Sequence, residues 1–129
     1  MNKKGKGTCA ERDLIHKFWG TNVWVAHRIA GSGSSKYPSP DIIASNNIRK
    51  LAIECKCSKI ERVYIPKKEI EELKKFGEMF GAETWLGFKF SKIDWLFLAI
   101  DDLHRTEENY SISIEKAKTR GLLFEELID

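Results

Sequence analysis

Asp41, Glu54 and Lys56 are the residues of this chain whose types and spacing could do chemistry. Asp41 follows Pro40 at the head of the apolar run Ile42, Ile43 and Ala44, Glu54 stands thirteen residues later, and one residue separates it from Lys56. Two carboxylates and an ammonium carried on neighbouring strands can hold a divalent cation against a phosphodiester and activate a water. The spacing reads as a nuclease site. Glu-x-Lys alone is also an ordinary surface pattern of a half-exposed hairpin; Pro-Asp at a strand start and a hairpin of suitable length favour the site.

The elements that must position these residues follow from period-2 alternation. From Leu51 to Cys57, Leu51, Ile53, Cys55 and Cys57 fall on one face of an extended strand, and Ala52, Glu54 and Lys56 on the other. Glu54 and Lys56 therefore point the same way. Pro40 cannot sit inside a central strand but can precede one, so Asp41 opens the segment Asp41 to Ala44. Ser45, Asn46 and Asn47 then form a turn that tolerates positive φ, and the returning strand brings Glu54 near Asp41.

A chain of 129 residues that is 42% hydrophobic buries roughly two-thirds of its unfolded surface, which suits one domain over residues 1–129. No apolar run approaches transmembrane length, and Met-Asn-Lys-Lys-Gly-Lys-Gly lacks the apolar core of a signal peptide, so a soluble, cytoplasmic protein without a membrane partner is expected. Three cysteines fit a reducing compartment, and Cys55-x-Cys57 has neither zinc-knuckle nor redox spacing. His16, His27 and His104 are too scattered for a His-based metal site. The net charge of +3 hides an asymmetry: residues 1–68 carry 14 Lys and Arg against 5 Asp and Glu, and residues 69–129 carry 8 against 14. The candidate site thus lies in a basic half that attracts polyanions, although lysines are also common solubilising residues.

Along the rest of the chain, residues 1–7, with Lys3, Lys4 and Lys6, read as a flexible basic tail. Thr8 is a candidate N-cap with Glu11 at capping-box spacing, and Leu14, Ile15, Phe18 and Trp19 form the apolar stripe of a helix ended by Gly20. Strands are expected over Asn22–Ile29, Thr84–Phe90 and Trp95–Ile100; Ile60–Ile65 leads into a helix from about Lys67 to Phe80, and Tyr110–Ile114 and a short helix from Leu122 to Ile128 lie near the end. The series implies an α/β sheet of mixed direction. Glu11 either completes its capping box or faces the active end of the sheet. Ser32, between Gly31 and Gly33, is either an ordinary loop serine or one that approaches a phosphate. Trp85, Phe88, Phe90, Trp95 and Phe97 offer either core packing or an interface.

Taken in order, Gly5 to Leu14, Arg28 to Gly33, Pro40 to Ala44, Leu51 to Lys56, Phe76 to Glu83 and Trp95 to Leu98 resemble the archaeal Holliday junction resolvases, nucleases of the Pro-Asp…Glu-x-Lys superfamily. The resemblance implies a restriction-endonuclease-like core with a central mixed five-stranded sheet flanked by helices. It implies Mg2+-dependent, paired symmetric nicking of four-way DNA junctions by a homodimer, with Mn2+ able to substitute. Glu11, Asp41, Glu54 and the Cys55 carbonyl would hold the metal. Glu11, Ser32, Asp41, Glu54 and Lys56 would be catalytic, and Lys3, Lys4, Lys6, Arg12, Arg28 and Lys36 would contact DNA. Lys56 would orient or deprotonate the water, or stabilise transition-state charge. Recombination or replication factors would be further partners, in an archaeal cell or for an archaeal virus in its host. Cys55 stands where many relatives have a branched aliphatic, and the C-terminus, at Asp129, is short. The alternatives are an endonuclease of the same superfamily acting on flap, damaged or duplex DNA, and a non-catalytic junction-binding module.

Overall fold

The hairpin expected to join Asp41 to Glu54 forms the middle of a mixed sheet. The computed structural model describes residues 3–29 and 36–129, with side chains from Ala10 onward in the first segment. Strand β2 (Ile42–Ser45) runs antiparallel to β3 (Lys50–Ser58) in the register Ile42 to Ile53 and Ser45 to Lys50. Asn47 turns the chain with φ of 84°, and the Asn46 side chain accepts the N–H groups of Ile48 and Arg49 at 3.1 and 2.8 Å. An Asx turn of this kind replaces the ladder bonds that the corner cannot make.

β1 (Val25–Arg28) pairs with the other edge of β2, while β5 (Glu83–Phe90) lies parallel to β3 and β6 (Leu96–Leu98) antiparallel to β5. The order β1-β2-β3-β5-β6 is the five-stranded mixed sheet that the family resemblance implied. Its parallel step needs a crossover, supplied by β4 (Arg62–Pro66) and helix α2 (Lys67–Phe80). Pro66 precedes the helix, and Gly81 ends it in the left-handed conformation (φ 76°, ψ 38°), as those residue types predict.

Both faces of the sheet are covered. On one, helix α1 (Lys3–Trp19) and helix α4 (Phe124–Leu127) bring Leu14, Phe18, Phe124 and Leu127 against Leu51, Ile53, Cys55 and Phe97. On the other, α2 packs Ile70 and Leu73 against Ala52, Leu86, Phe88 and Leu98. Alternation along β3 thus assigns Leu51, Ile53 and Cys55 to the α1 face, and Ala52, with Glu54 and Lys56 at the same parity, to the α2 face.

Several expectations are corrected. The segment read as a tail is helical from Lys3, so Thr8 lies inside α1 and cannot cap it. Once the packed stripe has nucleated a helix, each added residue costs only propagation, and Lys is a good helix former beside Gly5 and Gly7. The first strand begins at Val25, not Asn22, because Asn22 takes φ of 65° and the Thr21 hydroxyl accepts the Trp24 N–H. β4 leaves the main sheet for a second one, ordered β4-β8-β7, with β8 (Asn109–Ser113) and the unforeseen β7 (His104–Arg105). Helix α3 (Ile114–Arg120), capped by the Ser113 hydroxyl, was also unforeseen. Phe88, Phe90, Trp95 and Phe97 are buried at 2% exposure or less, so these aromatics are core, as a sheet covered on both faces requires.

Candidate active site

Strand β3 outruns β2, and that mismatch creates the site. The last β2 register pair is Ile42 with Ile53, and Asp41 adds one bond from its N–H to the Ile53 carbonyl at 3.1 Å. Beyond it, no strand among the described residues pairs with β3 on the β2 side, while its other edge stays paired to β5. There the Asp41 side chain takes the place of a strand, with Oδ2 accepting the Cys55 N–H at 2.8 Å. A strand residue directs its N–H and C=O to the same neighbour, so the Cys55 carbonyl faces the Asp41 edge as well.

Glu54, half-buried on the α2 face of β3, has its carboxyl pushed up to about 9. Burial is the main cause; the Asp41 charge and a hydrogen bond with Asp41 add to it, Lys56 opposes it, and Glu69 reinforces it. The two carboxyl groups are thus close enough to repel and to share a proton.

Glu11 approaches from the opposite face. It lies on the α1 stripe with Leu14 and Phe18, three and seven residues on, which turns it toward the sheet. Arg28 shares the inward parity of β1 with buried Trp24 and Ala26, and its Nε donates to Glu11 Oε1 at 3.0 Å. Burial raises the Glu11 carboxyl, the Arg28 hydrogen bond opposes this, and the Asp41 charge adds to it. Asp41 thus interacts with both glutamates. The buried Cys55 thiol is raised first by burial and then by the charges of Asp41, Glu11 and Glu54, so all three carboxylates lie near enough to act on it.

Lys56, expected as a catalytic ammonium, is held by an acid that the sequence reading missed. Its Nζ lies 2.9 Å from Oε1 of Glu69 in the first turn of α2. An acid at a helix start is an ordinary partner of the helix dipole, so the sequence carried no signal that this one crosses to β3. Arg12 and Lys36 are exposed, while Ser32 and the side chains of Lys3, Lys4 and Lys6 lie outside the described residues.

Among the described residues, no three His, Cys, Asp or Glu side chains form a ready-made metal cage. The donor set nevertheless suits a hard divalent cation: oxygen ligands only, with a half-buried glutamate whose charge is offset, among the described residues, by Lys56. A cation held by Asp41 and Glu54 would offset their mutual repulsion, which adds to burial in keeping Glu54 protonated.

A sequence profile of the family described as archaeal Holliday junction resolvase (Hjc) matches residues 2–129. The chain belongs to that family. Crossover junction endodeoxyribonuclease Hjc of Archaeoglobus fulgidus is 39% identical over 130 residues, with 95% of each chain covered. The protein of the same name from Sulfolobus acidocaldarius is 35% identical over 130 residues, covering 99% of this chain and 90% of its own. The solved structure of A. fulgidus Hjc, a Holliday junction resolvase from an archaeal hyperthermophile, matches with a TM-score of 0.87 at 37% identity, over 95% of this chain and 100% of that one. The restriction-endonuclease-like reading of the fold accords with that neighbour. Among the described residues, no helix is long and apolar enough to cross a membrane.

Proposed function

We propose that this chain is a divalent-metal-dependent endonuclease that resolves four-way DNA junctions by paired, symmetric nicks, with Mg2+ as its ion and Mn2+ able to replace it. The observation that carries the reading is the Asp41–Glu54 pair at the open edge of β3, within a chain of the resolvase family. Asp41, Glu54, the Cys55 carbonyl and Glu11 would hold the metal. When bound, the ion supplies positive charge against a phosphate oxygen and acidifies a water. Lys56 would orient that water or stabilise the charge of the pentacovalent transition state; taking the water's proton would require its ammonium to give one up first. Arg28 directs a guanidinium to the same edge, and with Arg12, Lys36 and the N-terminal Lys3, Lys4 and Lys6 it contacts phosphates; Ser32, between Gly31 and Gly33 in sequence, contributes to catalysis.

A four-way junction has approximate two-fold symmetry, so a C2 homodimer presents two sites to two equivalent strands. Met79 and Phe80, exposed at the end of α2, are apolar surface available to such a contact. The same reading gives one nuclease domain over residues 1–129, acting in the cytoplasm.

The test is a cleavage assay beside a gel shift on synthetic four-way, flap and linear substrates. Asp41→Asn and Glu54→Gln should each abolish metal-dependent nicking of the junction and leave junction binding intact. Undiminished cleavage by both variants would sink the site assignment, and equal cleavage of flap or duplex would replace the substrate.

A further inference from the structure

Lys56 carries a flexible four-carbon stem, yet chemistry needs its ammonium at one place beside Glu54. We propose that Glu69 is the positioning residue that supplies this, tethering the Lys56 ammonium from the first turn of α2. The inference deepens the functional reading above and rests on Lys56 having a role in cleavage.

The tether joins two rigid elements. Lys56 stands on β3 in register with Phe88 of β5, which is fully buried. Glu69 adjoins Ile70, also fully buried, and Leu73, one turn on, is 3% exposed, so the helix cannot roll without opening the core. The 2.9 Å contact between Lys56 Nζ and Glu69 Oε1 is therefore anchored at both ends.

Stability is a poor explanation for the pair. The two side chains are 27% and 34% exposed, and ion pairs so open to solvent contribute little to folding. Their value is geometric: a charge-assisted hydrogen bond selects one of the many positions that the lysine stem could reach. Glu71, a neighbouring acid on α2, instead lies 3.9 Å from Lys67 along the helix.

Two measurements test the tether, one without cleavage. In NMR spectra of protein with isotopically labelled lysine, assigned through Lys56→Ala, the two ε-methylene protons of Lys56 should have distinct shifts in the parent and averaged shifts in Glu69→Ala. In single-turnover assays, Glu69→Ala should slow junction nicking by roughly 10- to 100-fold, the loss expected when a reacting group is misplaced by about an ångström. Gel-shift affinity without metal should stay within about twofold, because the phosphate contacts are untouched. Glu69→Gln, which can still accept from Nζ, should recover most of the rate. In a Lys56→Ala background, Glu69→Ala should change the rate by less than about twofold, since paired residues are non-additive.

Averaged Lys56 shifts in the parent, or an equal loss from Glu69→Ala with and without Lys56, would overturn the proposal. Failure of the functional reading looks different: the tether is seen by NMR, but Lys56→Ala nicks junctions like the parent.

Discussion

Replacing Glu54 by Gln should make the metal-free protein more stable at neutral pH, although it removes a group proposed to be essential. Burial and Asp41 push this carboxyl from 4.5 to about 9. The folded chain therefore keeps a proton over a range where the unfolded chain has lost it, and stability falls as pH rises. The extra stability of the protonated form is fully present below pH 4.5 and is lost by about pH 9. Each unit corresponds to about 1.4 kcal/mol at most, so at pH 7 the parent has forfeited up to about 3 kcal/mol that an always-neutral Gln retains. For 129 residues, 1 kcal/mol shifts Tm by roughly 3–4 °C, which puts the variant about 10 °C above the parent at pH 7 and level with it near pH 4.5. The assay is differential scanning calorimetry of both proteins in chelator across that range. Saturating Mg2+ should then raise the parent's Tm at pH 7 and leave the variant's nearly unchanged, because ligand binding stabilises only the form that binds. A Tm difference that stays constant across the pH range would refute the coupling of Glu54 to Asp41 and its burial.

Three further substitutions probe the scaffold. Phe18 is fully buried, edge-on to Phe124 at 5.0 Å, so Phe18→Ala should cost about 3–5 kcal/mol by urea denaturation and slow cleavage through its helix neighbour Glu11. A Cβ at Gly77 would run into Thr84 Cγ2 and approach the Ala82 carbonyl at 3.1 Å, so Gly77→Ala should destabilise by about 1–3 kcal/mol in the same measurement. Arg49 holds Glu83 with two bonds of 2.8 Å and caps the Leu127 carbonyl at 2.8 Å. A lysine cannot reproduce that fork, and Arg49→Lys should lose about 1 kcal/mol, with the loss shrinking at high salt.

What the amino-acid sequence alone made legible was local. Alternation over Leu51–Cys57 placed Glu54 and Lys56 on one strand face, Asn47 turned the hairpin as its side chain allows, and Pro66 and Gly81 bounded α2. These follow from the reach of a few bonds: backbone dihedrals and the two-residue repeat of a strand do not depend on what lies across the core. For the same reason, spacing alone could not say whether Glu11 capped its helix or faced the sheet.

Tertiary structure decided the rest, because it concerned groups from separate elements. Glu11 meets Arg28 only because α1 packs on the β1 side of the sheet, and Lys56 meets Glu69 only because the crossover lays α2 over the other face. β4 pairs with β8, far along the chain, leaving the aromatic strands β5 and β6 covered on both faces. Residue types and period thus determined which groups could act and which way they point along one strand. Burial at the open edge of β3, where Asp41 stands in for a missing neighbour, decided how those groups perturb one another, since desolvation and charge proximity are properties of packed elements.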